Sequence, residues 1–277
     1  MGEAPLVSII VRTCGRPNIL HNALESIRRQ TYDNIEVILV EDGQNISESI
    51  IEEFPELDIH YFATGQKCGR TKVGNKGMEM SKGRYLNFLD DDDILFPNHI
   101  STLVEYLNKT KFRVVYSVGE EQQILRHQNG TFKIKRKLIR YRYPFNRMLL
   151  FYMNYIPIQT IMFERSLYEQ YGGFDEDLEV LEDWDIWVRY ATVCDFGFVD
   201  QVTSVYFTPF RNKVKKNRDV EMKAAEDRVR EKHSSYTMNL SVARVNRDMD
   251  YVLNVFNQKS YIFYLRKIRN WLLYRDR

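Results

Sequence analysis

Only three cysteines occur in the 277 residues, Cys14, Cys68 and Cys194, and none forms a CxxC pair. An odd, scattered set of this kind excludes a disulfide framework and a CxxC-built zinc site, and points to free thiols in a reducing cytosol. Net charge is scarce as well. Forty basic residues against 38 acidic ones leave a formal +2, which offers no global attraction for nucleic acid. The start, MGEAPLVSII, has no basic region followed by a long apolar one, and it lacks the Ser or Thr that a myristoylation signal needs at position six. The greasiest stretch, from Met148 to Phe163, is interrupted by Asn154, Pro157, Gln159 and Thr160, so no transmembrane helix is expected. Internal repeats and low-complexity linkers are absent too.

What remains is ordinary in bulk, 44% hydrophobic and 28% charged, with ample length to bury a core. The informative feature is local. The apolar run Tyr85-Leu86-Asn87-Phe88-Leu89 leads straight into Asp90-Asp91-Asp92-Asp93. The run reads as a buried strand and the acids as the loop at its carboxyl end, where open α/β sheets bind ligands. Like charges a few Å apart repel by roughly 1–4 kcal/mol per pair. A hard divalent cation, Mg²⁺ or Mn²⁺, relieves that repulsion and commonly shares its remaining positions with substrate phosphates. A solvated acidic turn is the plainer alternative.

Along the chain, β-branched and apolar strand runs alternate with helical spacing. Leu6 to Val11, Ile35 to Val40, Ile59 to Phe62, Tyr85 to Leu89 and Val114 to Val118 read as strands. Helices are expected after Pro17, over Ile46 to Phe54, over Val73 to Met80 and after Pro97. The alternation predicts an α/β fold with a mostly parallel central sheet and helices on both faces. Beyond residue 119, Asn129-Gly130 signals a hairpin turn, and Lys133, Lys135, Arg136, Lys137, Arg140 and Arg142 form the densest basic stretch. Such a stretch fits either a solvated hairpin face or the attraction of an anionic acceptor. A helix over Trp184 to Thr192 and strands at Phe196 to Val199 and Val202 to Phe207 follow. Past residue 210 the chain is charged and helix-prone. Its last part carries a stripe of Tyr261, Tyr264 or Leu265, Ile268, and Trp271 or Leu272 beside Arg266, Lys267, Arg269 and Arg275. That stripe fits an interfacial membrane helix, docking onto the domain, or docking onto a second subunit.

Four segments in order, VSIIVRTCGRP, QTYDNIEVILVEDG, GNKGMEMSKGRYLNFLDDDD and GGFDEDLEVLEDWDIWVRYA, resemble the inverting family 2 glycosyltransferases with the GT-A nucleotide-diphospho-sugar fold. The resemblance covers roughly residues 5 to 208. It implies a catalytic domain over 1–210, with a nucleotide-sugar half at 1–118 and an acceptor half at 119–210, and a helical extension at 211–277. It also implies that Asp42 hydrogen-bonds the nucleotide base and that Thr13 lies against the nucleotide. Asp90, Asp91 and Asp92 match the DxD region, with Asp92 as direct metal ligand and Asp90 and Asp91 addressing metal, ribose or water. Asp183, of the Glu182-Asp183 pair, matches the catalytic base; its plain structural role would be a helix N-cap. Trp184 and Trp187 read as core more readily than as a sugar-stacking wall.

The implied activity moves a sugar from a nucleotide-diphosphate donor, a UDP- or TDP-sugar, to a hydroxyl of a glycan or lipid-linked acceptor, with Mn²⁺ or Mg²⁺ as cofactor. The expected location is the cytoplasm, free or at the inner face of the cell membrane. Three departures stand out. Cys14-Gly15-Arg16 replaces the usual aromatic loop after Thr13, and Gly74-Asn75 replaces an Arg-Asn, leaving Arg70 or Lys72 to face the diphosphate. The third is that no His follows the last strand until His233. Competing classes are a nucleotidyltransferase, a phosphatase with an early DxD, and a scaffold protein with a decayed site. The first wants a glycine-rich loop after the first strand, where only Gly15 occurs.

Overall fold

The structure, a computed structural model, describes residues 4–126, 132–210 and 213–273, and for 213–221 and 258–273 only the backbone. The elements run β1 (Val7–Thr13), α1 (Pro17–Arg28), β2 (Ile35–Glu41), α2 (Glu48–Ile51), β3 (Ile59–Ala63), α3 (Arg70–Met80), β4 (Tyr85–Asp90), β5 (Ile94–Leu95) and α4 (His99–Lys109). They continue with β6 (Val114–Arg126), β7 (Phe132–Leu138), α5 (Arg147–Tyr152), β8 (Ile161–Glu164), α6 (Arg165–Tyr171), α7 (Glu182–Ala191), β9 (Phe196–Pro209), α8 (Lys213–His233) and α9 (Val242–Leu273). Among these residues no helix is long and apolar enough to cross a membrane.

One sheet has the order β3-β2-β1-β4-β8-β6-β9-β5, with β7 paired to β6. Its first four strands are parallel, as the alternation implied. Past β4 the sheet is mixed. β8 is antiparallel to both neighbours, while β6 and β9 run parallel. The two strands expected at Phe196 to Val199 and Val202 to Phe207 are one, β9, because the register shifts against β6 let the chain carry Asp200-Gln201 within the ladder. The hairpin turn at Asn129-Gly130 lies outside the described residues, but β6 and β7 flank it as an antiparallel pair.

The helices cover both faces. Pro17 opens α1, and Leu20, Ala23, Leu24 and Ile27 bury one stripe under the sheet; Ile100, Leu103, Val104 and Leu107 do the same from α4. Each such Leu, Ile or Val side chain contributes about 1.5–3 kcal/mol through burial. On the other face α3, α5, α6 and α7 share a core with Ile10, Phe88 and Phe163. Ala225 and Val229 of α8 and Val252 of α9 enter the same core, so the extension closes onto the domain. The aromatic stripe from Tyr261 to Leu272, with Arg275, lies outside the described side chains.

Glycines permit the close approaches around the sheet's carboxyl edge. A Cβ on Gly74 would stand 2.5 Å from the ring of Phe174. Its neighbour Asn75 accepts from the Phe174 N–H at 2.8 Å and donates to the Phe174 carbonyl at 3.0 Å. The Gly74-Asn75 pair therefore clamps the loop before α7 against α3.

Candidate active site

Parallel pairing aligns the carboxyl ends of β1, β2 and β4. Thr13 lies opposite Glu41, and Arg12 opposite Asp90. A cleft of about 700 Å³ opens beside this edge, lined by Arg12, Arg70, Asp90, Asp92, Asp93, Asn154, Glu182, Asp183, Tyr206, Thr208 and Met222 among others. Thus the acid loop and the Glu182-Asp183 pair, expected to act on opposite sides of one reaction, share one cavity.

The four aspartates have four different environments. Both oxygens of Asp90 are taken by the Arg12 guanidinium, at 2.7 and 3.0 Å. Burial pushes the Asp90 carboxyl up, but Arg12 outweighs it and holds it below the ordinary range. Asp91 is buried and does not line the cleft. It accepts from Thr13 Oγ1 at 2.7 Å and from Arg16, and burial lifts it to about 6 despite those donors. Asp92 keeps a third of its side chain exposed, and its ion pair is a 3.3 Å contact with Arg16. Asp93 is buried, its backbone N–H closing a turn onto the Asp90 carbonyl at 3.0 Å. Burial, with the charges of Asp90 and Asp92, raises its proton affinity well above the usual range.

Of the four, Asp92 has open valence toward the cleft and is the residue free to hold a hard divalent cation, while Asp93 lies beside it, desolvated and crowded by Asp90 and Asp92. Asp90, expected to share the metal, is already forked by Arg12, and Asp91 turns to Thr13 and Arg16 instead of the cleft. His233 sits on α8 against Asp185 at 3.4 Å and edge-on to Trp184, so it does not join the acid loop. Among the described residues, the one set of three ligating side chains close enough for a single ion is Glu36, Asp58 and His60. It stands at the amino ends of β2 and β3, where Glu36 Oε1 already accepts from Ser8 Oγ at 2.5 Å and from the N–H of Lys82 at 2.6 Å.

Across the cleft, Glu182 and Asp183 open α7, where negative charge suits the helix N-terminus. The residue before them, Leu181, has φ 63, in the left-handed region that leucine rarely adopts. Leu181, in the N-cap position, offers no side-chain bond. Asp183 Oδ1 accepts from the free first-turn N–H of Trp184 at 2.8 Å, so a capping role coexists with the cleft position, and its Oδ2 accepts from Asn154 Nδ2 at 3.1 Å. Burial first, and the charge of Glu182 second, push its carboxyl up to about 7. Trp184 and Trp187 are core, with Trp184 Nε1 donating to the Leu150 carbonyl at 2.6 Å.

The residues expected to grip the nucleotide divide. Asp42 Oδ1 accepts from the N–H of Cys68 at 2.7 Å and of Gly69 at 3.3 Å, so it pins the loop entering α3. Thr13 spends its hydroxyl on Asp91. Arg70 lines the cleft, 3.7 Å from Glu182, whereas Lys72 is exposed and does not line it. Arg12 and Arg16, which pair with Asp90, Asp91 and Asp92, are site residues the motif reading passed over. The available signal was a charged side chain closing an otherwise apolar β-branched strand. Nothing in sequence spacing marked Asn154, which reaches Asp183 through the loop after α5, or Met222 on α8.

The sheet order, the edge-aligned acids and the cleft define a GT-A-type glycosyltransferase domain. The family model of glycosyl transferase family 2 matches residues 8–172, and the chain belongs to that family. It is 29% identical over 229 residues, 82% of this chain and 84% of the relative, to an uncharacterized glycosyltransferase, YwdF, of Bacillus subtilis. Identity is again 29% over 207 residues, 74% of this chain, with the uncharacterized glycosyltransferase RT0329 of Rickettsia typhi, of which the chain spans 61%. Among solved structures, S. aureus TarS 1-349 in complex with UDP-GlcNAc is similar at TM-score 0.61 and 14% identity, covering 84% of this chain and 73% of that one. The mannosyltransferase PcManGT of Pyrobaculum calidifontis, in complex with GDP-Man and Mn²⁺, matches at TM-score 0.61 and 18% identity, covering 81% and 63%.

Proposed function

We propose that the protein is an inverting, metal-assisted glycosyltransferase that uses a nucleotide-diphosphate sugar and Asp183 as general base. The observation that carries this reading is the Asp183 carboxyl, lifted to about 7 and facing the same cleft as Asp92. A base poised near neutral pH can take a proton in the transition state, which contributes about 10²–10⁴-fold.

The acceptor hydroxyl would lie against Asp183 Oδ1 or Oδ2, with Asn154 fixing the carboxylate's orientation. Its oxygen attacks the anomeric carbon from the face opposite the leaving group. The bond from that carbon to the diphosphate oxygen breaks, the nucleoside diphosphate takes the electron pair, and the proton goes to Asp183. Asp92 would hold a divalent cation, with Asp90 and Asp93 beside it, and the ion would supply Lewis-acid neutralisation of the diphosphate. Arg70 and Arg16 add fixed positive charge at the two rims of the acid loop. Structural neighbours carry UDP-GlcNAc, UDP and GDP-Man, which supports a nucleotide-sugar donor and places UDP first for testing. Asp42 has oxygen lone pairs beyond those given to Cys68 and Gly69, so base recognition there remains compatible with its loop-pinning bonds.

Calorimetric titration of UDP, TDP and GDP with Mn²⁺ and then with EDTA tests the donor half. Metal-dependent binding of one nucleotide, lost in Asp92→Ala, is the expected result. Absence of nucleotide binding under every condition would overturn the proposal.

A further inference from the structure

Three strands carry the cleft outward to the edge of the sheet. Tyr206 and Thr208 of β9 line the cleft, and β9 pairs with β6 so that Glu121 lies beside Tyr206 and Gln123 beside Thr208. On the far side of β6, Gln123 pairs with Arg136 of β7 and Leu125 with Lys133. Paired residues share a face and alternate residues repeat it, and the register shift that leaves Lys135 of β7 unpaired lets Lys133 and Arg136, three positions apart, join Tyr206, Thr208, Glu121 and Gln123 on one face. The side chains agree: Thr208 Oγ1 donates to Glu121 Oε1 at 2.7 Å, and Gln123 Nε2 donates to the same oxygen at 3.1 Å. Two strand spacings separate Thr208 from Arg136, roughly 10 Å.

Charge along this face is unbalanced. Glu121 is the acid nearest the ladder, and Arg140 saturates it through bonds of 2.6 and 2.9 Å. Lys137 faces Glu120 and Arg142 faces Asp200. Lys133 and Arg136 are exposed and have no acidic partner among the described residues. A solvated edge strand needs lysines only to deter pairing; that role does not explain why the unpaired cations sit on the cleft's own face. Within the cleft wall, the Tyr206 hydroxyl is buried without a hydrogen-bond partner.

We infer that Lys133 and Arg136 bind a phosphate group of the acceptor, about one sugar unit or more from the hydroxyl delivered to Asp183. The inference rests on the proposed glycosyl transfer and names the acceptor's chemistry: a phosphate-bearing chain, whose phosphate belongs either to a glycan or to a lipid headgroup. Arg136 offers a planar fork to phosphate oxygens and Lys133 a point charge beside it.

The test compares wild type with K133A/R136A and with K82A/K111A, a pair of exposed lysines elsewhere that removes the same charge. UDP is held saturating with Mn²⁺ so that the donor site is filled. The probes are phosphorylated dextran, plain dextran, and vesicles of one-third phosphatidylglycerol in phosphatidylcholine. Expected is binding of phosphorylated but not plain dextran, weakened at least about tenfold in K133A/R136A, little changed in K82A/K111A, and falling with added salt. Binding confined to the vesicles, with the same variant pattern, supports the inference with the lipid headgroup as source. Binding of neither probe, or equal loss in both variants, overturns it. UDP affinity measured alongside separates the two levels: its absence in wild type would sink the donor reading, whereas normal UDP binding with indifferent variants sinks only the phosphate site.

Discussion

Arg12 Nη1 donates to Glu182 Oε1 at 2.9 Å, joining the end of the first strand to the start of a helix 170 positions later. The same guanidinium forks Asp90 and lies over the adjoining rings of Phe88 and Phe174, each centroid 5.6 Å away. Asp90 of the acid loop and the residue beside the proposed base are therefore held by one buried cation.

Replacing Arg12 by Met should leave the half-buried Asp90 without its guanidinium partner and the buried Glu182 with only Arg70, 3.7 Å away. Breaking such a pair costs about 3–5 kcal/mol. Denaturant unfolding should show that loss, with turnover falling further than UDP affinity. Arg12→Lys restores charge without the fork and should recover stability only in part.

Asp183→Asn should lower kcat by about 10²–10⁴-fold while metal-dependent UDP binding persists. In wild type, kcat should rise with pH and level off above about 7, as the carboxyl loses its proton. A flat pH profile would remove Asp183 from the base role.

Stability should move the other way. Between the ordinary aspartate range near ~4 and the folded value of about 7, the native state holds a proton that the unfolded chain has lost, so stability falls as pH rises through that window. Asp183→Asn removes this contribution, and its Tm should show less decline with pH across the same interval.

Gly74→Ala would drive a methyl to within 2.5 Å of the Phe174 ring. Overpacking of this kind costs typically ~1–3 kcal/mol. Because Phe174 flanks Arg12, the variant should lose activity beyond what its Tm alone explains.

Asp185 is fully buried, with Arg189 at 3.1 Å, Lys232 of α8 at 3.0 Å and, from the segment just after α8, the Tyr236 hydroxyl at 3.1 Å. Lys232→Met should cost about 1.5–3 kcal/mol in unfolding assays, the scale of a bond to a charged group. It should also loosen α8, which carries Met222 into the cleft, raising acceptor KM more than UDP Kd. Equal effects on both would place α8 outside the acceptor side.

How much of this was legible in the chain depends on the range of each interaction. Local patterns sufficed for the parallel β1-to-β4 unit, for the helices with apolar stripes, and for the acid loop at a strand's carboxyl end, because periodicity and the steric limits of parallel crossovers act over tens of residues. Ordered motifs likewise pointed to the family and to Asp92 and Asp183 in one site. Residue type alone could not tell Asp90, Asp91, Asp92 and Asp93 apart. Register sets Arg12 against Asp90, the β1 loop brings Thr13 and Arg16 to Asp91, and only Asp92 retains open valence toward the cleft. The same holds for the mixed outer sheet, for Asn154 beside Asp183, for the α8 wall and for the ladder from Thr208 to Arg136. Each depends on contacts between segments far apart in the chain, whose geometry exists only after the sheet has formed and desolvation has sorted one carboxylate from the next.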